Sequence, residues 1–368
     1  MPERSKLKLA LVGLRHGHVG SFDDDGTGYI ATFKQMDEVE IVAYCDETGS
    51  PRLDEAREHH PGASIYESLE DLITREEFDV ACVALPARDV PAAGVKLAEA
   101  GKHFYMEKQF ARTAADLVPL VKAVRRNGVK VLPGYPWRFH PVALELRRII
   151  DDGPLGRPAD IELRFTTSQV RPGSRDPDHF MYGRDTEGGG VLHMLGGHYI
   201  ELMRFLAGCD IRSVQAMTSR PVGYIQEPLE DLALCVFEFE SGVLGSLRCG
   251  YLAPKVIGTD DSLVSLVYRG VDGWADWTPI GSASLDVKAA PLDGGSWLER
   301  TFTDSLPPKT GYGGTVWMFE WMRRFMDDIQ ADREPALNVE DALRVLQTID
   351  AAYESARTGR RVEVKYGI

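Results

Sequence analysis

The chain has 368 residues, 43% of them hydrophobic and 27% charged, which is long enough for two domains and too long for one ordinary core. A net charge of −14 and a pI near 5.2 argue against nucleic-acid and anionic-membrane partners, which such a surface repels. No apolar run approaches the ~18 residues of a membrane span. The opening Lys6-Leu7-Lys8-Leu9-Ala10-Leu11-Val12-Gly13 faintly imitates a signal peptide, but its apolar part is short and runs into a glycine turn. The cysteines (Cys45, Cys82, Cys209, Cys235, Cys249) are odd in number, scattered and mostly set in apolar runs. They read as small buried hydrophobes of a reducing cytoplasm.

In chain order, short and nearly continuous apolar runs fall at 7–12, 39–45, 80–85, 103–106 and 129–132, with helical patterns between them. Runs of that kind are expected of strands buried on both faces of a parallel sheet. The clearest helix is 113–126, with Thr113 and Asp116 as a capping pair and Leu117, Leu120, Val121 and Val124 on one face. Repeated βα units predict a doubly wound sheet over residues 1–132.

The first run ends in Gly13-Leu14-Arg15-His16-Gly17-His18-Val19-Gly20. A dinucleotide turn needs a glycine where the chain first bends, and Gly13 fits. Arg15 and His18 stand where the second and third glycines are usual, and Arg15 is shaped to hold phosphate. His16 and His18 join Gly13 and Arg15 as candidate cofactor residues. Asp23–Gly28 reads as a polar loop inserted before the helix resumes. The second strand ends at Cys45-Asp46, where a carboxylate accepts ribose hydroxyls and repels a 2′-phosphate. NAD is therefore expected over NADP.

The fourth run stops on Glu107-Lys108, just beyond a strand's carboxyl end, where cofactor and substrate meet in open α/β sheets. Lys108 is a candidate proton donor or acceptor, because an ammonium shifts its pKa readily when desolvated. A non-proline residue, Gln109, follows it; a cis peptide there costs ~2.5–4 kcal/mol, so trans is expected.

After 132 the pattern changes. Pro141 opens a helix that Gly153 ends. Longer alternating strands follow at 160–167, 213–219, 232–240 and 243–251, the last two joined by a Glu240-Ser241-Gly242 turn. Helices are expected at 316–329 and 339–356, the second capped by Asn338 with Asp341. These features predict a second domain over 133–368, an α/β unit with a large, mostly antiparallel open sheet, with a C-terminal helix free to pack back on the first domain. Its broad face, with Trp274 and Trp277 nearby, is a plausible self-association surface. Within it, Gly188-Gly189-Gly190 opens a helix carrying His193, Met194 and His198. His198, expected two turns in, suits acid–base work near neutral pH. The two histidines are five residues apart, unlike the i, i+4 spacing of a helical metal pair, and no metal is expected.

Taken together these residues resemble the Gfo/Idh/MocA oxidoreductases, the family of glucose–fructose oxidoreductase and myo-inositol dehydrogenase. The resemblance rests on the glycine turn, Cys45-Asp46, Ala100-Gly101-Lys102-His103 through Glu107-Lys108, Gly134-Tyr135-Pro136-Trp137-Arg138-Phe139-His140-Pro141, the triple glycine with His198, and Ala352-Tyr353-Glu354-Ser355-Ala356-Arg357-Thr358-Gly359. It implies a Rossmann domain plus an open-sheet domain, assembled as a homodimer or homotetramer. It also implies hydride transfer between NAD and a secondary alcohol of a sugar, polyol or sugar acid, with Lys108 beside the nicotinamide and His198 at the substrate hydroxyl. Pro86 and Glu107 join the cofactor set, and Arg138, His179, Tyr182, Arg184, His193 and Met194 are candidate substrate contacts. Four positions depart from the family pattern. Gln109 replaces a proline, Met194 an aspartate and Pro136 an asparagine, while Leu85-Pro86-Ala87-Arg88-Asp89-Val90 lacks the usual Asn-His-x-His. Met194 and Gln109 support one alternative, a cofactor-binding sensor without turnover; the resemblance implies another, an enzyme in which transient oxidation assists glycoside cleavage.

Overall fold

The structure is a computed structural model that describes residues 6–22, 28–171, 179–253, 262–278, 280, 284–289, 298–303 and 316–368. Most of the expected polar loop at 23–28 lies outside the described residues. The chain divides into two compact units. One holds the chain up to Gly134 together with 316–343, and the other holds the chain from Tyr135 through its last long strand and again from Arg344.

In the first unit, six strands form a wholly parallel sheet: β1 (Leu7–Val12), β2 (Val39–Cys45), β3 (Ser64–Tyr66), β4 (Val80–Val83), β5 (His103–Met106) and β6 (Val131–Pro133). Their order is β3-β2-β1-β4-β5-β6. This is the doubly wound arrangement whose order reverses between β1 and β4, opening a crevice beyond the strand ends. β1 and β4 are almost fully buried, as the unbroken apolar runs require. The helix Ala114–Asn127 is capped by Thr113, whose hydroxyl accepts the Asp116 amide at 3.2 Å, and buries Leu117, Leu120, Val121 and Val124. The helix Val316–Gln330 belongs to this unit as well, because Trp321, Met322, Phe325 and Met326 give it a buried apolar stripe. Trp321 meets Tyr105 edge-on at 5.6 Å between centroids.

In the second unit, nine strands form one sheet: β7 (Pro158–Thr167), β8 (Ile211–Ser219), β9 (Leu232–Phe239), β10 (Leu244–Gly250), β11 (Ser262–Gly270), β12 (Gly273–Trp277), β13 (Ser284–Ala289), β14 (Leu298–Thr303) and β15 (Val362–Glu363), in the order β14-β13-β12-β11-β7-β10-β9-β8-β15. Every pair is antiparallel except β7 with β10. Alternation puts Leu163, Phe165, Cys235, Phe237, Leu247, Leu266 and Trp277 on the buried face. Two helices accompany the sheet, Pro141–Asp152 and Gly197–Ala207, and Tyr199 of the second rests on Phe165 with centroids 5.0 Å apart. The opposite face leaves Met217, Leu234, Val236 and Leu263 exposed.

Candidate active site

In the first unit the polar residues gather at the carboxyl ends of β1, β2, β4 and β5. Gly13 closes β1 with φ +84°, a left-handed conformation that favours glycine, and its amide donates to Cys45 O at 2.9 Å. A Cβ there would sit 2.7 Å from Ala84 O, so no side chain fits between the two strand ends. Past β4, Pro86 presents its carbonyl to the amides of Asp89 and Val90 and so starts the helix Val90–Glu99. At the end of β2, Asp46 is buried and accepts the Ser50 hydroxyl at 2.6 Å. Its neighbour Glu47 pairs with Arg15 of the glycine turn at 2.7 Å. The Arg52 guanidinium donates to Leu14 O and Gly20 O and lies over the Phe22 ring, fixing the turn from below.

Glu107 forms the centre of this region. Its carboxylate accepts the Tyr105 hydroxyl at 2.7 Å, is bonded by Tyr29, and lies 3.2 Å from His18 Nδ1. Burial pushes the Glu107 carboxyl above the usual carboxylate range, against the opposing pull of His16 and Lys108. His16, His18 and Glu107 bring ligand-type atoms within 4.8 Å of one another. His16 Nδ1 accepts the His18 amide at 3.1 Å. Lys108, the next residue, is buried, and Gly134 lies so close to its amide that a Cβ would come within 3.0 Å. The Lys108–Gln109 peptide is cis, where a trans bond was expected.

In the second unit the triple glycine leads into a helix, but not a regular one. Leu192–Gly196 forms a π turn, and the regular helix starts at Gly197. His198 is therefore its second residue, not two turns in. Turns of this type recur at functional sites. The cause of the tight entry lies far along the chain. Glu230 O accepts the Val191 amide at 3.0 Å, and the Glu230 carboxylate accepts Gly190 N at 3.1 Å, Leu192 N at 2.9 Å and the Tyr353 hydroxyl at 3.0 Å. A Cβ on Gly190 would lie 2.0 Å from Glu230 O, so only glycine lets the two segments meet. Burial raises the Glu230 carboxyl, opposed by these same donors.

His193 and Met194 are buried in the π turn, and His198 is half-buried with its ring against Tyr135 at 5.5 Å. Arg138 is ion-paired to the fully buried Glu201 of the same helix, and its guanidinium lies 5.3 Å from the Phe205 ring centre. That makes Arg138 a brace between the 135–139 segment and the helix bearing His198. His179 caps the short turn Phe180–Tyr182 by accepting the Met181 amide, Tyr182 is buried, and Arg184 is exposed with its amide on Gln226. Three residues escape a sequence reading: Tyr29, Tyr135 and Glu230. Only Tyr135 carried a signal, as the aromatic beside Pro136. Lys108 belongs to the first unit and His198 to the second.

A parallel sheet of this order with a glycine turn at its switch point defines a dinucleotide-binding protein. Residues 8–135 match the oxidoreductase family profile described as an NAD-binding Rossmann fold, 143–264 the GFO/IDH/MocA C-terminal domain, and 302–364 the oxidoreductase family's C-terminal alpha/beta domain. The chain belongs to the Gfo/Idh/MocA family of oxidoreductases. It is 27% identical to the D-apiose dehydrogenase of Paraburkholderia graminis over 347 residues, covering 92% of this chain and 86% of that protein. It is 24% identical to a D-xylose 1-dehydrogenase (NADP(+)) of Haloferax volcanii, covering 91% of each. Its fold matches the glycerol-bound aldose–aldose oxidoreductase of Caulobacter crescentus with a TM-score of 0.76 at 24% identity, over 97% of this chain and 99% of that one.

Proposed function

We propose that this oxidoreductase moves hydride between NAD and a secondary alcohol of a sugar, polyol or sugar acid. The observation that carries the reading is the buried Lys108 directly after a Glu107 gripped by two phenols and a histidine of the glycine turn, just past the carboxyl end of β5. The residues fit a dinucleotide: Gly13 makes the tight turn at the end of β1 that only a glycine allows there, and Asp46, held by Ser50, offers a fixed carboxylate for ribose hydroxyls. NAD supplies the hydride acceptor when bound. Lys108 donates a hydrogen bond to the reacting oxygen and stabilises the charge that develops on it. His198 takes the hydroxyl proton. Arg138, through Glu201, and Glu230, through the amides of the π turn, keep that helix in place. Both relatives carry dehydrogenase names, which favours turnover over the sensor and glycoside-cleaving alternatives.

The carboxylate of Asp46 favours NAD over NADP by about tenfold, or ~1.4 kcal/mol; fluorescence titration of both reduced cofactors checks this, and equal affinities remove Asp46 from the role. A panel of sugars, polyols and sugar acids, followed by NADH fluorescence, tests the activity. Absence of turnover on the whole panel, with NADH tightly bound, favours the sensor. A second copy of the chain covers the exposed apolar face of the nine-stranded sheet, giving a dimer or tetramer. Light scattering checks it, and a monomer at micromolar concentration rules it out. No helix among the described residues is long and apolar enough to cross a membrane, and the five unpaired cysteines favour a reducing cytoplasm.

A further inference from the structure

The end of β2 carries two carboxylates with different surroundings. Asp46 is buried and fixed by Ser50. Glu47 is exposed, with 63% of its side-chain surface accessible, and holds the 52% exposed guanidinium of Arg15, 32 residues earlier in the glycine turn. The fold thus brings an arginine to the strand end where a 2′-hydroxyl or 2′-phosphate is read. A guanidinium donates to phosphate in a two-pronged fashion and is the usual partner of a 2′-phosphate. Paired to Glu47, however, it is turned toward a carboxylate, and an exposed pair of this kind is weak.

We propose that Glu47 is a specificity-determining residue: by engaging Arg15 it withholds from a 2′-phosphate the cation that would otherwise admit NADP. The inference rests on the reading that the adenosine ribose lies at the end of β2. It adds that discrimination is divided between a fixed carboxylate, Asp46, and a breakable pair, Arg15–Glu47. Glu47→Gln keeps the side chain's size and removes its charge, which takes from the guanidinium its carboxylate partner on β2 while Asp46 stays in place.

The test is fluorescence titration of the purified full-length protein with NADH and NADPH, for wild type, Glu47→Gln, Arg15→Ala and the double variant. Thermal melts confirm that each is folded, which the exposure of both side chains favours. Glu47→Gln is expected to shift the NADPH-to-NADH affinity ratio toward NADPH by about fivefold or more, and Arg15→Ala in that background is expected to cancel the gain. A ratio unchanged by Glu47→Gln, or a gain that survives without Arg15, overturns the proposal while NADH binding by the wild type keeps the cofactor reading intact. A wild type that binds neither cofactor overturns both.

Discussion

Each unit has a buried glutamate at its polar centre, and the two are satisfied by different mixtures of partners. Glu107 is surrounded by two phenols and an imidazole, groups that can turn from donor to acceptor, with the adjacent Lys108 amide as its one backbone donor among the described residues. Glu230 is surrounded by two backbone amides and Tyr353, and an amide N–H can only donate. The first environment tolerates a change of protonation or of side chain. The second demands an acceptor at a fixed point, because the amides it caps begin the turn that leads to His193 and His198. A buried carboxylate is therefore not one kind of feature: its neighbours decide whether it is adaptable or obligatory.

Removing each carboxylate breaks the comparison most directly. Glu230→Ala leaves two buried amides unpaired at about 1–3 kcal/mol each, so urea unfolding is expected to show a loss of at least about 2 kcal/mol. Glu107→Gln, whose neighbours can reorient, is expected to cost less than about 1 kcal/mol. Equal losses in Glu230→Gln and Glu107→Gln contradict the distinction.

The catalytic reading gives a second contrast. Lys108→Ala and His198→Ala are each expected to lower kcat by about 10²-fold on a substrate from the panel. The double variant is expected to lose far less than the product, since the proposed mechanism assigns both residues to one substrate oxygen. If His198→Ala retains turnover, His193 becomes the leading base.

The smallest effect concerns pH. A carboxyl held above its usual range is more protonated in the folded than in the unfolded chain, so its contribution to stability is fully present below the unfolded pKa and is lost as pH rises through the folded one. For Glu107 the loss begins near 4.5. Relative to Glu107→Gln, the wild type is expected to lose stability as pH is raised from 4 toward neutrality, as followed by urea unfolding at stepped pH. A difference that stays constant over that range removes burial as the dominant influence on Glu107.

Much of the first unit is legible in the sequence because parallel strands buried on both faces write themselves as unbroken apolar runs, and five of its six strands are found that way. β3 is missed because its three residues are only half-buried. Local chemistry also reads well: the helix Pro141–Asp152 begins at its proline and ends before Gly153, and Asn338 and Asp341 cap reciprocally. Strands β11 to β15 of the second sheet are less legible. They are mostly short, and some of the residues between them lie outside those described. What no local pattern contains is partnership across distance. Gly190 and Glu230 are 40 residues apart, and the glycine makes sense only once the glutamate is beside it. The same holds for Arg138, whose pairing with Glu201 turns a candidate substrate contact into a brace.

The helix Val316–Gln330 has a consequence for how the chain is made. Its Trp321 packs on Tyr105, whose hydroxyl bonds Glu107 next to Lys108. A ribosome adding about 5–20 residues per second releases the six strands of the parallel sheet well before this helix exists. The nascent cofactor unit thus waits, with one side of Tyr105 uncovered, until some two hundred further residues have emerged. Its last brace is among the last pieces synthesised, so a message truncated ahead of Val316 would yield a Rossmann sheet without the wall that steadies its own lysine.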